Sequence, residues 1–408
     1  MSILRTVLLC STFAGSPVLA GDWPQILGPH RNGVAEGERI VDKLPAKPKP
    51  LWTRSVGDGF AGVAVADGTA YLFHRVGDQE VVEAMNVKTG KVVWKSGSST
   101  SYSGAIASDD GPRCVPVITD DAVIVFGAQG RLRCLDRKTG DERWSNSTHE
   151  SFEVLEGYFG AGSSPIVEGD ALLVNVGASR DEAGLVAFDL KTGEVRWKST
   201  DEQASYSSPV AATIGGKRQI IFVTRYNAAG VEPESGKVLW SFPFGARGAT
   251  VNGASPVLVG DHLFLTASYG VGAAFAKLGP DAAEELWTSA DLLSSQYTTP
   301  IAHDGVVFGI DGRQDVGVAT LRCIDPIAKQ VLWDEAGFGY ATLIKADGKL
   351  LVQKTDGTLV LVKPDKTGYR ELSRASLASG TTRVLPALSD GLYFIRDETT
   401  LYCYDLSP

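Results

Sequence analysis

The residues able to do chemistry in this chain are mostly scattered. The five histidines, His30, His74, His149, His262 and His303, show no spacing that would bring two of them to one metal ion. His149-Glu150 reads as a solvated loop pair, and His262 and His303 fall in or beside tight turns. There is no Gly-x-Ser-x-Gly elbow, no phosphate-binding loop and no Cys-x-x-Cys. Neighbouring carboxylates such as Glu284-Glu285 read as solvent-facing on a strand. No metal site and no catalytic residue is predicted. One set stands apart: Phe60, Arg113, Tyr158 or Phe159, Tyr206, Asn252, Tyr297, Tyr340 and Arg383 recur at one point of an internal repeat, just before its first strand. Aromatic and arginine side chains are enriched at binding hot spots. Two arginines in reach of each other can grip a carboxylate through paired hydrogen bonds. The alternative is that these side chains simply plug a channel.

The repeat that would position them is easy to follow. A short apolar run, an Asp-Gly-type turn, a second apolar run and a third strand ending in Asp lead to a Thr-Gly turn and a Trp. The clearest copies are Asn86-Val-Lys-Thr-Gly-Lys-Val-Val-Trp94, Asp136-Arg-Lys-Thr-Gly-Asp-Glu-Arg-Trp144 and Asp189-Leu-Lys-Thr-Gly-Glu-Val-Arg-Trp197. Weaker ones end at Trp240, Trp287, Trp333 and Leu372. Glycine accepts the positive φ of such a turn, and Asp and Thr bond its backbone. Ala66-Asp67-Gly68, His303-Asp304-Gly305, Ala346-Asp347-Gly348 and Ser389-Asp390-Gly391 mark the first hairpin of their copies. Each unit therefore holds four strands, A to D, at a period of about 39 to 53 residues, which suits propeller blades.

Seven units are complete, near 61–95, 113–145, 162–198, 207–241, 253–288, 298–334 and 340–373. The last, 383–405, stops after strand C, while Pro50-Leu51-Trp52-Thr53-Arg54 supplies a Trp-bearing strand with nothing before it. The predicted fold is all-β: an eight-bladed propeller of four-stranded antiparallel blades, closed by an N-terminal strand in the last blade, which leaves no free sheet edge. Such a closed ring is expected to be a monomer. Trp52, Trp94, Trp144, Trp197, Trp240, Trp287 and Trp333 are expected to dock structurally between neighbouring blades. Cys134, Cys323 and Cys403 share one strand-C slot that holds Ala84 or Ala187 elsewhere, and read as small buried hydrophobes. A Cys114–Cys134 disulfide would demand distortion across an intervening strand.

Residues 1–20 read as a signal peptide, with Arg5 as the charged region, a mostly apolar stretch to Val18 and a small-residue cleavage site at Val18-Leu19-Ala20. Residues 21–49 form an N-terminal extension and 50–408 the propeller. The expected location is therefore outside the cytoplasm, periplasmic or secreted. No later segment has the length to span a bilayer. The formal net charge is −9 with no basic run, which argues against nucleic acid as a partner. The loops at 96–111 and 145–161 are expected to widen the face carrying the aromatic and arginine set, with Ser96–Tyr102 polar and flexible.

The strand-C Asp, Lys-Thr-Gly turn and strand-D Trp resemble the tryptophan-docking repeats of the PQQ-like propeller family. Ser164-Pro165, Ser208-Pro209, Ser255-Pro256 and Thr299-Pro300, which open strand A, fit that resemblance, as does the opening Asp22-Trp-Pro-Gln-Ile-Leu-Gly-Pro29. It covers nearly the whole chain after residue 20 and is specific for fold rather than chemistry. It implies either a BamB-like scaffold, binding partner proteins without a cofactor, or a quinoprotein dehydrogenase holding PQQ with Ca²⁺ in the funnel. The chain lacks the adjacent-cysteine pair and the funnel Trp common in quinoprotein alcohol dehydrogenases. The leading expectation is a non-catalytic exported propeller without a cofactor, binding a protein or polysaccharide partner of the cell envelope through the funnel face. The alternative is a PQQ-dependent oxidoreductase using the same funnel.

Overall fold

The computed structural model describes residues 21–408 apart from 105, 107, 108, 156, 158 and 249. The leader read at 1–20 and the Tyr158 alternative lie outside the described residues. Eight sheets follow one another along the chain, seven of four strands and one of five. Blade one is typical: strands A to D are Ala64–Ala66, Thr69–Val76, Gln79–Asn86 and Val92–Ser99, paired antiparallel in sequence order. In blade eight, strands A to C are Ala387–Ser389, Leu392–Arg396 and Thr400–Asp405, and Trp52–Ser55 pairs antiparallel with the last, Trp52 opposite Cys403. The two ends of the chain thus close the ring in one sheet. The only helix among the described residues is the single turn Thr148–Ser151.

Local chemistry explains how blades attach. In each of blades one to seven a register shift lies beside the docking position on strand D. One extra residue there re-aims the side chain. The indole Nε1–H of Trp94 donates to the Arg137 carbonyl of the next blade (3.0 Å), that of Trp144 to Leu190 (3.0 Å) and that of Trp197 to Pro233 (2.9 Å). Trp52, Trp287 and Trp333 do the same with Val87, Pro326 and Asp365. The rings of Trp52, Trp94, Trp144 and Trp197 then lie over the glycine of the neighbour's turn. A Cβ on Gly140, φ +78°, would sit 2.4 Å from Trp94, and one on Gly193, φ +75°, 2.6 Å from Trp144. The Thr-Gly turn therefore needs glycine twice, for backbone conformation and for the indole above it.

Trp240 departs from the expected docking. Blade five has Leu278-Gly-Pro-Asp-Ala in place of the Asp-x-x-Thr-Gly turn, so no matching platform exists. Trp240 instead folds over its own sheet, where strand C offers Gly230 opposite, and donates to Gln219 Oε1 (2.7 Å). Gln219 Nε2 in turn donates to the Gly279 carbonyl of blade five (2.9 Å), so an amide relays the contact. The strand-C slot under each Trp holds Ala84, Cys134, Ala187, Cys323 or Cys403, but Phe275 in blade five, which stacks on Trp287. All four described cysteines are free and buried. Ser96–Ser99, expected as loop, continues strand D, because blade one's long B–C hairpin gives it partners to Gln79.

Near the axis the Ser-Pro openings link blades. Backbone N–H groups of Val115, Ser164, Ser208 and Ser255 each donate to the hydroxyl of the next blade's Ser164, Ser208, Ser255 or Thr299. The extension packs against blades one, two, three, four, seven and eight. Trp23, 2% exposed, pairs with Val65 of blade one, and the Pro24 carbonyl accepts from Ile118 of blade two. Arg31 donates to the carbonyls of Ser164, Pro165 and Pro209 in blades three and four. Val34–Ala35 adds a parallel fifth strand to Ala341–Ala346 of blade seven. From there the Glu38 carboxylate accepts from Asp390 and Gly391, and the chain reaches the perimeter at Trp52.

Candidate functional site

Six of the eight expected rim residues meet around one cavity of about 200 Å³ on the axis. Phe60, Arg113, Phe159, Tyr206, Tyr297 and Arg383 line it, and Ile26 of the extension forms part of its wall. The Arg383 guanidinium lies 4.7 Å from the Phe60 ring centre and 5.8 Å from that of Tyr297. Arg113 lies 5.4 Å from Phe60 and 5.6 Å from Phe159. Backbone fixes Arg113 further: Nη1 donates to the Gly111 carbonyl (3.0 Å) and Nη2 to that of Asp109 (3.2 Å). Burial lowers the Arg113 pKa, and Arg383 adds to that as a like charge. Burial pushes the Tyr206 phenol up to about 12, against the opposing hydrogen bond from the Phe159 N–H (2.8 Å).

The other two are not brought to this cavity. Tyr340, 4% exposed, stands behind Tyr297, and its hydroxyl accepts from the N–H groups of Tyr297 and Thr298. Asn252, 1% exposed, donates to the Thr224, Arg225 and Phe244 carbonyls and ties a loop together. Each belongs to the predicted repeat position, but its side chain is buried in the wall and engaged with backbone there. Sequence reasoning missed Ile26, Tyr269 and Gln296. Tyr269, φ +62° in the B–C turn of blade five, lies under Arg313 (4.2 Å) and accepts from Gln296 Nε2 (2.8 Å). The signal available was the B–C turns, which share this face with the loops preceding strand A.

Among the described residues no Asp or Glu lines the cavity. Two guanidiniums against aromatic faces, with no carboxylate among the described lining residues, suit an anion with a flat carboxylate-like group. Among the described residues no three His, Cys, Asp or Glu side chains gather to hold a metal ion.

A family model described as "Outer membrane protein assembly factor BamB" matches residues 37–153 and 77–335. The chain belongs to this PQQ-like family. Outer membrane protein assembly factor BamB of Burkholderia pseudomallei is 23% identical over 85% of this chain and 87% of its own. A quinohemoprotein alcohol dehydrogenase of Pseudomonas putida is 28% identical over 59% of this chain but only 35% of its own. Among solved structures, BamB from Moraxella catarrhalis superposes with TM-score 0.62 at 13% identity, covering 88% of this chain and 97% of that one. A europium-containing methanol dehydrogenase gives TM-score 0.68 at 14% identity, covering 92% and 89%. These structural likenesses establish the propeller. This PQQ-like chain is similar to both a scaffold and a redox branch, so the pocket must carry the functional argument.

The funnel residues fit one half of the PQQ–Ca²⁺ pair. Arg113 and Arg383 suit the carboxylates of the quinone. The cation is a hard ion that takes carboxylate and carbonyl oxygens, and no carboxylate lines this cavity among the described residues. A volume of about 200 Å³ is also below the roughly 300–1,000 Å³ usual for a whole small-molecule ligand. The metal–quinone pair does not fit as a unit.

Proposed function

We propose that this chain is a non-catalytic exported propeller that docks a carboxylate-bearing partner, protein or polysaccharide, in the funnel. One observation carries the reading: two half-buried arginines share the Phe60 ring, with no carboxylate among the described lining residues. Like charges held together out of water are unfavourable until an anion pairs with them. A polymer carboxylate is small enough for this cavity, with the rest of the polymer lying on the open face. The likeness to BamB supports a scaffold role, and the Val18-Leu19-Ala20 reading supports export. A second reading, PQQ-dependent oxidation, draws on the same arginines and on the likeness to quinohemoprotein dehydrogenases.

Titration calorimetry of the full chain with poly-glutamate peptide and with polygalacturonate tests the proposal. At least one should bind. Arg113→Gln together with Arg383→Gln should weaken it by at least about 30-fold, the equivalent of a truncated buried charge pair at about 2 kcal/mol. Failure of both polymers, or binding indifferent to the double variant, would overturn the scaffold reading. A large rise in melting temperature with PQQ and Ca²⁺ would instead favour the oxidoreductase.

A further inference from the structure

A larger cavity, about 540 Å³, adjoins the arginine pocket between blades two, three and four and shares Gly162 and Tyr206 with it. Its size lies within the roughly 300–1,000 Å³ range of small-molecule sites. Its chemistry differs from the neighbour's. Tyr102, Tyr206 and Tyr226 contribute aromatic surface, and no Asp or Glu lines it among the described residues. Arg225 is the one lining Lys or Arg among the described residues, and it is engaged: Nη1 donates to Thr250 Oγ1 (2.8 Å) and Nη2 to the Gly248 carbonyl (2.6 Å).

Asn175 is the unusual member. It ends strand B of blade three (Ala171–Asn175), is 2% exposed, and neither Oδ1 nor Nδ2 has a hydrogen-bond partner. His149 lines the same cavity, and its Nδ1 is buried and unpartnered as well. Burial holds this imidazole near pKa 4, so it is neutral at physiological pH. A buried amide left unpaired costs roughly 1–3 kcal/mol, and native proteins keep few such groups without a reason. The amide asks for a donor and an acceptor side by side. A carboxylate or phosphate offers acceptors only, and an ammonium donors only. A hydroxyl offers both, and it also suits Nδ1 of a neutral imidazole in either tautomer. Neighbouring hydroxyls on an apolar ring face, set against tyrosine rings, are the chemistry of a sugar.

We infer that the cavity between blades two, three and four is a binding site for a neutral polyhydroxylated ligand, a hexose ring of a glycan, with Asn175 and His149 reading its hydroxyls. This site goes beyond the anion pocket and stands without it.

Saturation-transfer NMR on the full chain, with glucose, galactose, mannose and N-acetylglucosamine at millimolar concentration, tests the assignment. At least one hexose should receive saturation. Asn175→Leu, similar in volume, should weaken that sugar at least tenfold. It should not lower the melting temperature, because it removes an unpaired buried amide rather than a bond. Tyr226→Ala, at a half-buried wall position, gives a second variant that should also lose transfer. The Arg113→Gln, Arg383→Gln double variant should keep it, which separates this site from the anion pocket. No transfer to any of the four sugars overturns the inference. So does a hexose signal indifferent to both Asn175→Leu and Tyr226→Ala, or one displaced by inorganic phosphate. Asn175→Leu that melts lower while sugar transfer is unchanged would make the amide a purely structural, hydrated group.

Discussion

Gly140→Ala combined with Trp94→Ala measures the contact that joins blade one to blade two. Gly140 has φ +78°, and an added Cβ would stand 2.4 Å from the Trp94 ring. The left-handed backbone costs an L-residue about 1–2 kcal/mol, and forcing an extra carbon into a packed site costs about 1–3 more. Trp94→Ala removes a 9% exposed indole and its hydrogen bond to the Arg137 carbonyl, at about 3–5 kcal/mol. In the double variant the ring is gone and the added methyl has room. Only the backbone cost of Gly140→Ala should remain, so the two changes should be sub-additive by about 1–3 kcal/mol. Gly68, φ +70° with open space around its Cβ position, isolates the backbone term when changed to Ala. Guanidinium unfolding followed by far-UV circular dichroism reads the energies. As a thermal check, ~0.8 kcal/mol per kelvin for ~390 ordered residues makes a 3 kcal/mol loss worth ~4 °C. Additivity within about 0.5 kcal/mol, or a Gly140→Ala cost equal to that of Gly68→Ala, would refute the docking of indole on glycine.

Other outcomes follow from the same physics. Glu83, 2% exposed, has its pKa held at about 2: desolvation pushes it up, but the His74 imidazole, the Lys95 ammonium and the Arg54 guanidinium facing it outweigh that. Its stabilisation is complete above the ordinary value near 4.5 and is lost as pH falls from there through 2. Glu83→Gln should flatten the melting-temperature profile in that window. His149, lowered to about 4 by burial, acts in the same direction. Between pH 6.5 and 4 the unfolded chain takes up more protons, so stability falls with acidification, and His149→Phe should remove that slope. Arg31→Met leaves three backbone carbonyls in blades three and four without their donor. It should lower the melting temperature and speed proteolysis within residues 36–50, and unchanged cleavage would deny Arg31 a role in holding the extension against the blades.

The parts of this protein that were legible in the sequence are those set by near neighbours. An Asp, a Thr-Gly turn and a Trp within nine residues are local chemistry, and copying them round a ring forces the blade count and the closing strand. The rim set was legible for a related reason, because one repeat position meets the axis in every blade. What lay beyond reach depends on contacts between distant segments. Trp240 could not be told from its six counterparts until blade five's altered turn stood next to it. Tyr340 and Asn252 share the rim position with Tyr297 and Arg383 but turn into the wall. The extension carries no repeat signal, yet Arg31 finds its partners more than a hundred residues away. Asn175 looks like an ordinary strand residue, and only its burial without a partner marks it. The repeat thus decided the architecture on its own, since each turn and anchor is satisfied by adjacent units. The tertiary structure alone decided which polar side chains are paired and which face a cavity, because that depends on what the rest of the ring places opposite them.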